Sequence, residues 1–353
     1  MCAGSTTPRV ALLGTVLGIL ATFSSATAAH AHEGWFVERG LSAGPRFPAE
    51  LIGLSAMLAS LGFLVAGMAL TRAGWYGRIG TAAMPWQRFL PVGMEWRLIA
   101  TLTGIMLIAN STSGVFLAAD LRLPEGWLSH LAVIGQVLIG ILLLSQISFA
   151  LAGLLILVMA VPLAILAFPA PMLVDYVLEY ASLGAALIFV GLSSCPDQVA
   201  CSITRIDARR FSHLPLPIIR IGLGLSLIVL ALHNKLADPD IALSFLDKYA
   251  FNFVPVFGFG DFSNLHFAFS AGLIELGLGV LLVAGVATRL AAAALFGFFL
   301  TTLFLLGLPE LVGHLPLFGI ALALAYRGSG RYSLEAACRG SIPLKVWTTR
   351  SAQ

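Results

Sequence analysis

Nine apolar runs, each close to the length that crosses a lipid bilayer, restrict what this chain can fold into. They cover approximately residues 50–71, 98–119, 129–147, 149–168, 174–193, 217–235, 264–286, 290–308 and 311–326. An α-helix crosses the bilayer core in about 20 residues, and backbone groups that find no water in lipid must bond within the helix. A barrel needs period-two alternation, which runs such as 151–160 lack. We expect an all-α polytopic membrane helix bundle of about nine transmembrane helices.

The composition supports a membrane protein and argues against a soluble enzyme. Charged residues make up 10% of the chain and hydrophobic residues 59%, with a mean hydropathy of +0.95, whereas soluble domains carry about 25% charged residues. The net charge of +3 forms no basic patch. The lipid bilayer is therefore an expected partner, and nucleic acid is not.

Residues 1–31 have the features of a secretory signal peptide. Arg9 precedes an apolar stretch at 10–23, and small residues lead to Ala29-His30-Ala31, which matches a cleavage site. Cleavage after Ala28 or Ala29 and retention of the segment as a first helix are the alternatives. In each case the residues that follow are exported.

Basic residues gather in alternate loops and so predict the orientation. If the mature N-terminus is periplasmic, thirteen Lys and Arg residues lie on the cytoplasmic side and five on the outer side. The inner set is Arg72, Arg78, Arg88, Arg97, Arg205, Arg209, Arg210, Arg289, Arg327, Arg331, Arg339, Lys345 and Arg350; the outer set is Arg39, Arg46, Arg122, Lys235 and Lys248. We expect a multi-pass protein of the bacterial inner membrane with a periplasmic N-terminus and a cytoplasmic C-terminus.

The chain has four cysteines, none of which is expected to form a structural disulfide. Cys2 lies in the signal segment, and Cys195, Cys201 and Cys338 fall on the reducing, cytoplasmic side. A dithiol site at Cys195 and Cys201 is disfavoured because membrane disulfide oxidoreductases place their cysteines on the oxidising side.

Polar residues recur in the two halves of the chain and predict a tandem of two four-helix units. The matched positions are Arg97 with Arg220, Asn110 with His233, Gln136 with Glu275, and Glu179 with His314. The alternative is chance, since two apolar bundles can be aligned somewhere. The expected organisation is a signal peptide (1–31), a periplasmic stretch with a first transmembrane helix and a basic cytoplasmic loop (32–96), a first unit (97–194), a cytoplasmic loop (195–216), a second unit (217–335) and a cytoplasmic tail (336–353).

Short motifs in the second unit resemble the DoxX family over about residues 217–335. They are Arg220, His233–Pro239, Glu275–Gly279, Ala284–Arg289 and Tyr326–Glu335. The resemblance implies a four-helix membrane bundle of the kind found in the small subunit of a thiosulfate:quinone oxidoreductase and in membrane partners of redox-defence proteins. It therefore implies quinone-linked redox work. The first unit lacks the Lys-Leu-x-Asp-Pro and Gly-x-Gly-Arg-Tyr-Ser elements.

Ionisable side chains inside the spans are the candidate site residues, because such groups are costly in lipid and usually face a bundle interior. Glu275 lies eleven residues into its span, about 16 Å deep at 1.5 Å per residue, and is the candidate catalytic proton acceptor. The alternative is a neutral acid bonded to a neighbour such as Ser226. Lys235 is a candidate ligand-binding residue, or else extends to the interface.

His233, His266 and His314 lie near the periplasmic ends of their spans and are the other ligand-binding candidates. Imidazoles can bond a quinone carbonyl or ligate copper or zinc. Because no His-x-x-x-His or Cys-x-x-Cys spacing is present, we assign no metal site. The alternative is that each histidine is a polar cap at its helix end.

Two further elements have structural interpretations. Residues 239–254 predict an interfacial helix over a periplasm-facing pocket, with Phe245 on its apolar face and Asp240 on the opposite one. Arg97 and Arg220 begin their spans on the cytoplasmic side, where the default role of an arginine is to fix topology and extend to lipid phosphates.

The leading hypothesis is an accessory or quinone-interacting membrane subunit of a redox system, acting on sulfur compounds or in oxidative stress, with a redox-protein partner. The site would lie in the second unit, with Glu275 handling protons and the histidines or Lys235 orienting the ligand. Quinone is the candidate cofactor ahead of copper or zinc. Whether the chain is itself an enzyme stays open. The alternatives are a transporter of a small solute or metal ion, since midplane polar groups in a repeat also suit transport, and a structural anchor for a periplasmic partner.

Overall fold

The computed structural model describes residues 46–73, 93–118, 121–123, 125–173, 176–193 and 211–338. The predicted signal peptide, most of the basic loop before residue 93, the Cys195–Cys201 segment and the tail from residue 339 lie outside these ranges. Every regular element in the described ranges is helical, in agreement with the all-α prediction.

The long helices overlap the predicted runs, but the helix that begins at Met94 ends at Thr112, whereas its predicted run extended to residue 119. In chain order they are α1 (Ala49–Arg72), α2 (Met94–Thr112), α3 (Trp127–Ser145), α4 (Phe149–Ala167), α5 (Val177–Ser193), α6 (Pro215–Ala237), the shorter amphipathic α7 (Asp240–Tyr249), α8 (Asn264–Ala284), α9 (Thr288–Leu306), α10 (Leu308–Arg327) and the short α11 (Leu334–Cys338). Two of them contain a π-helical turn, at Ile156–Ala160 in α4 and at Ala231–Ala237 in α6.

Five of these helices are long and apolar enough to cross a membrane: α1, α3, α4, α6 and α8. Shorter apolar stretches occur at Val177–Ser193, Thr288–Phe304 and Val312–Arg327. Helix α2 is less apolar because it contains polar residues such as Glu95, Thr103 and Asn110, which are buried against protein. The fold is thus that of a membrane protein.

Helices α2 to α6 and α8 to α10 pack as a closed ring. We call α2–α5 the first half of the bundle and α6–α10 the second half. Each half contains two close helix pairs, α2 with α3 and α4 with α5 in the first, and α6 with α8 and α9 with α10 in the second. The halves join twice, through α5 against α6 and α10 against α2, while α3–α4 and α8–α9 touch less. Helix α1 lies outside this ring against α8.

Glycine pairs allow three of these helix pairs, α2–α3, α4–α5 and α6–α8, to approach closely. A Cβ atom added to Gly224 of α6 would lie 2.8 Å from the carbonyl oxygen of Gly279 in α8, and one added to Gly279 would lie 2.7 Å from the carbonyl oxygen of Gly224. The α2–α3 pair makes the same reciprocal contact through Gly104 and Gly140, at 3.0 and 3.2 Å. Small residues at helix contacts are typical of membrane bundles.

The predicted amphipathic segment 239–254 forms α7, which ends at Tyr249, and one residue of its expected polar face is buried. Ala242, Phe245 and Leu246 pack with Ala268 of α8. Asp240, which was expected on the opposite, exposed face, is buried and accepts a hydrogen bond from the Arg46 guanidinium at 2.8 Å. The prediction for Asp240 was wrong because a distant arginine provides a partner that periodicity cannot indicate.

Arg220 does not extend to lipid phosphates, and the expectation for this residue was wrong. It is fully buried, and its guanidinium donates to the backbone carbonyls of Leu282, Val283 and Tyr332, at 2.9 Å for the last two. The Glu335 carboxylate adds an electrostatic attraction. Arg220 therefore joins α6, the end of α8 and the segment after α10.

Candidate functional site

Two of the predicted site residues, Lys235 and Glu275, form an ion pair between α6 and α8. The Lys235 Nζ atom lies 2.9 Å from Glu275 Oε2, and the side chains retain 13% and 21% of their exposure. Oε2 itself is buried, and the contact is an ion pair rather than an aligned hydrogen bond. The pair is thus partly enclosed and partly accessible.

Glu275 lies close to the level at which α6 ends. A Cβ atom on Gly272 would lie 2.9 Å from Lys235 Cβ and from a side-chain carbon of Leu236, so the last turn of α6 is level with Gly272. The first turns of α8 extend beyond that level and contact α7. Glu275 therefore lies three residues, about 5 Å along the helix axis, from the level of Lys235.

Glu275 faces away from α1 and toward the inside of the helix ring. The neighbouring Gly277 faces α1, because a Cβ atom there would lie 2.4 Å from the Phe63 ring. Two residues correspond to about 200° around an α-helix, which places Glu275 nearly opposite. Leu282, seven residues further and on the same side as Glu275, is fully buried.

A second group of charges lies beside the end of α6. The Arg46 guanidinium donates to Asp238 at 2.9 Å and to Asp240 at 2.8 Å, and 43% of the arginine side chain is exposed. The adjacent Phe47 ring packs on Phe269 of α8, with centroids 4.7 Å apart. The segment before α1 therefore lies close to the ion pair, near the motif that follows Lys235.

The three candidate histidines have different neighbours. His233 Nδ1 lies 2.7 Å from Asn234 Oδ1. His266 is exposed and contacts the Ser263 hydroxyl at 2.7 Å. His314 is buried, packs on Phe299 with ring centroids 5.0 Å apart and interacts electrostatically with Glu179 of α5. In the described part of the chain, no group of three or more His, Cys, Asp or Glu residues could hold a metal ion.

Gln136, the residue that the sequence matches with Glu275, is fully buried and forms several hydrogen bonds. Its Nε2 lies within hydrogen-bond distance of the Leu107 carbonyl (3.0 Å), the Ser111 hydroxyl (2.9 Å) and the Val115 carbonyl (3.1 Å). Its Oε1 accepts from the Leu117 N–H at 2.6 Å. This role was not predicted; the sequence signal was the match between Gln136 and Glu275.

The segment that Gln136 binds, residues 113–118, folds into the first half, and we name it the inserted loop. Phe116 and Leu117 are almost fully buried. The Leu117 carbonyl accepts hydrogen bonds from Asn110 Nδ2 at 2.8 Å and from the Tyr180 hydroxyl at 2.9 Å. The first half is therefore closed at this end by its own backbone.

Comparisons with known proteins provide no relative. No family model matches the chain, and neither a curated protein nor a solved structure matches it. The resemblance of residues 217–335 to the DoxX family stays a prediction, and the candidate site rests on the geometry of Lys235 and Glu275.

Proposed function

We propose that this chain is a bacterial inner-membrane protein that binds quinone beside Lys235 and Glu275 and acts as an accessory or quinone-interacting subunit of a redox system. The observation that carries the proposal is the partly exposed ion pair within a bundle of apolar helices. The matched position of the first half, Gln136, is instead buried and hydrogen-bonded by its own chain.

The comparison between the halves depends on a tandem of two four-helix units, α2–α5 and α6–α10. Two observations support it: the helices of each half pair in the same order, and Gly104 with Gly140 makes the same reciprocal contact as Gly224 with Gly279. These contacts favour matching Gly104 with Gly224. In this alignment, each residue of α2 corresponds to the α6 residue three positions before the one that the sequence predicts.

In this register Val115 of the inserted loop corresponds to Lys235. Gln136 contacts the Val115 carbonyl, and Glu275 contacts the Lys235 ammonium. In the first unit, α2 therefore ends at Thr112 and the chain turns inward. In the second unit, α6 continues into the π-helical turn that carries Lys235. We assign ligand binding to the second unit and a structural role to the first.

The chemistry of the pair suits a quinone. A lone charge in a membrane helix is costly, up to about 2.5–3.5 kcal/mol at the helix centre on insertion scales. Pairing reduces this cost for Lys235 and Glu275. An ammonium donates hydrogen bonds, and a carboxylate accepts them. Lys235 would bond a ring oxygen of the ligand, and Glu275 would accept a proton or a hydrogen bond from it.

The proposal includes nine membrane crossings with the N-terminus outside. Contacts between helix ends support this arrangement. Arg46, before α1, bonds Asp238 and Asp240, after α6, so these ends share one side. Glu95, at the start of α2, pairs with Arg327, at the end of α10, at 3.4 Å on the other side.

An inventory of the purified protein tests this function. The full chain would be purified in mild detergent, and mass spectrometry would quantify co-purifying quinone, polypeptides and metals. We expect quinone or a redox protein with the wild type and a loss of at least fivefold in bound quinone for Glu275→Ala. Glu95→Gln, which alters an ion pair elsewhere, should keep it. Wild-type protein without quinone or a redox partner would contradict the proposal.

Transport of a small solute is the second candidate, and one observation favours it. The α-helical hydrogen bonding of α4 is interrupted by the π-helical turn at Ile156–Ala160, just before Pro162, and that of α6 by the turn at Ala231–Ala237. Such turns are frequent at functional sites, and interrupted helices build many transport sites. Flux of solutes or metal ions into liposomes that contain the purified protein would favour transport, and its absence would favour the redox subunit.

A further inference from the structure

We infer that the Lys235–Glu275 site binds the reduced form of its ligand, a hydroquinone, more tightly than the oxidised quinone. The inference rests on the proposed function and goes further, because it assigns the redox state that the site selects. It follows from the hydrogen-bonding capacities of the two side chains and from what the first unit places against Gln136.

A carboxylate and a quinone are both hydrogen-bond acceptors and so cannot bond each other. An ionised carboxylate only accepts hydrogen bonds, and a lysine ammonium only donates them. Both oxygens of a quinone are acceptors, so either can bond Lys235 but neither can donate to Glu275. A hydroquinone carries two hydroxyl groups, each of which donates and accepts. It can therefore satisfy both partners of the ion pair.

The Glu275 carboxylate places one oxygen beside Lys235 and remains partly accessible. Glu275 Oε2 is buried beside the Lys235 ammonium, while the whole side chain retains 21% of its exposure. A ligand that approaches the accessible part of Glu275 therefore meets the other oxygen, Oε1. A hydroxyl would donate to that oxygen, whereas a quinone carbonyl would bring its lone pairs against it.

The first unit places a hydrogen-bond donor against Gln136, the residue matched with Glu275. The group presented to the Gln136 side-chain oxygen there is a donor, the Leu117 N–H at 2.6 Å. The carbonyl of the same residue, Leu117, accepts hydrogen bonds from Asn110 and Tyr180. The inserted loop thus offers a donor next to an acceptor, which is the pattern that a hydroquinone hydroxyl offers and a quinone lacks.

The expected selectivity is about tenfold or more in favour of the hydroquinone. A hydrogen bond to a charged group contributes enough to binding for a tenfold difference, and tenfold in affinity corresponds to about 1.4 kcal/mol. For a two-electron couple, tenfold tighter binding of the reduced form raises the midpoint potential of the bound ligand by about 30 mV. Bound quinone would therefore be easier to reduce.

The test compares two ligands that differ only in oxidation state. The full chain in lipid nanodiscs would be titrated, under anaerobic conditions, with a short-chain dimethoxy-methyl-benzoquinone and with its hydroquinone, and calorimetry would give both Kd values. We expect the wild type to prefer the hydroquinone by tenfold or more. Glu275→Gln, whose amide both donates and accepts, should bring the ratio close to one. Glu275→Asp retains a carboxylate and should keep the direction, and Glu95→Gln should leave the ratio unchanged.

The outcomes separate this inference from the proposed function. Equal affinities in the wild type, or tighter binding of the quinone, would overturn the inference and leave quinone binding intact. A tenfold preference that persists in Glu275→Gln would overturn it as well, because selectivity would then come from another group. Failure of both ligands to bind the wild type would instead contradict the proposed function. The wild-type ratio decides the inference even if a variant fails to fold.

Discussion

Charged residues within the helices of this protein differ in the partners that compensate their charge. Arg220 is enclosed and bonded to backbone carbonyls, whereas Lys235 and Glu275 meet as a partly exposed ion pair. The first arrangement leaves little capacity for a ligand, whereas the second leaves a carboxylate that can accept hydrogen bonds and remains partly accessible. The partners and accessibility of a charged residue, rather than its depth along a span, distinguish a structural charge from a candidate binding group.

Removal of the Arg220 side chain should destabilise the fold strongly. Arg220→Ala removes the guanidinium that donates to the carbonyls of Leu282, Val283 and Tyr332 and opens a cavity. Breaking one side of a buried charged network costs about 3–5 kcal/mol. Thermal unfolding in detergent should show a large fall in Tm. Arg97→Ala removes the exposed arginine predicted to match it and should have little effect. Equal Tm values for Arg220→Ala and the wild type would contradict the structural role.

Replacement of Gln136 by leucine should open the inserted loop. Each buried backbone group left without a partner costs about 1–3 kcal/mol, and Gln136→Leu orphans the Leu117 N–H and the Val115 carbonyl. We expect lower thermal stability and faster hydrogen exchange in residues 113–118. Ser113→Ala, at an exposed site in the same loop, is the matched control. Unchanged exchange in Gln136→Leu would show that the amide does not hold the loop.

The sequence indicates candidate residues for the site but not their partners. Glu275 and Lys235 were each singled out, one by depth and one by resemblance, yet their pairing depends on the α6–α8 contact. Arg220 was misjudged because an arginine at the start of a span is usually a topology signal. The histidines were grouped by similar depth, and depth does not indicate which way a side chain faces.

Among the elements, the helices were predictable and their irregularities were not. The expected runs 50–71 and 264–286 compare with Ala49–Arg72 and Asn264–Ala284, because lipid requires long apolar helices. The π-helical turns and the inserted loop depend on tertiary contacts, which hydropathy does not report. The glycine contacts then set how closely α2 approaches α3 and α6 approaches α8.

A methyl group on Gly279 should separate α6 from α8. The added Cβ atom would lie 2.7 Å from the Gly224 carbonyl oxygen, so the backbones must move apart, and overpacking typically costs about 1–3 kcal/mol. We expect Gly279→Ala to lower Tm. Gly297→Ala in α9 is the matched control, since no heavy atom lies within 4 Å of its added Cβ atom. A Tm for Gly279→Ala as high as that of the control would argue against close packing.

For the whole molecule, the two ends of the ring should face opposite sides of the membrane. Val256, between α7 and α8, is 84% exposed, and Cys338, in α11, is exposed. In a background without the other cysteines, a membrane-impermeant maleimide should label Val256→Cys in intact spheroplasts. Cys338 should be labelled only after permeabilisation. Labelling of both from the outside would contradict the orientation.

The location of the ligand is the central claim, and photolabelling in native membranes tests it most directly. Membranes containing the full chain would be irradiated with an azido-quinone, with and without excess unlabelled quinone, and the modified peptides sequenced by mass spectrometry. We predict competable labelling confined to residues 231–237 and 268–279, beside Lys235 and Glu275. Competable labelling of α2 and α3 instead, or labelling that excess quinone does not reduce, would contradict the assignment of the site to the second unit.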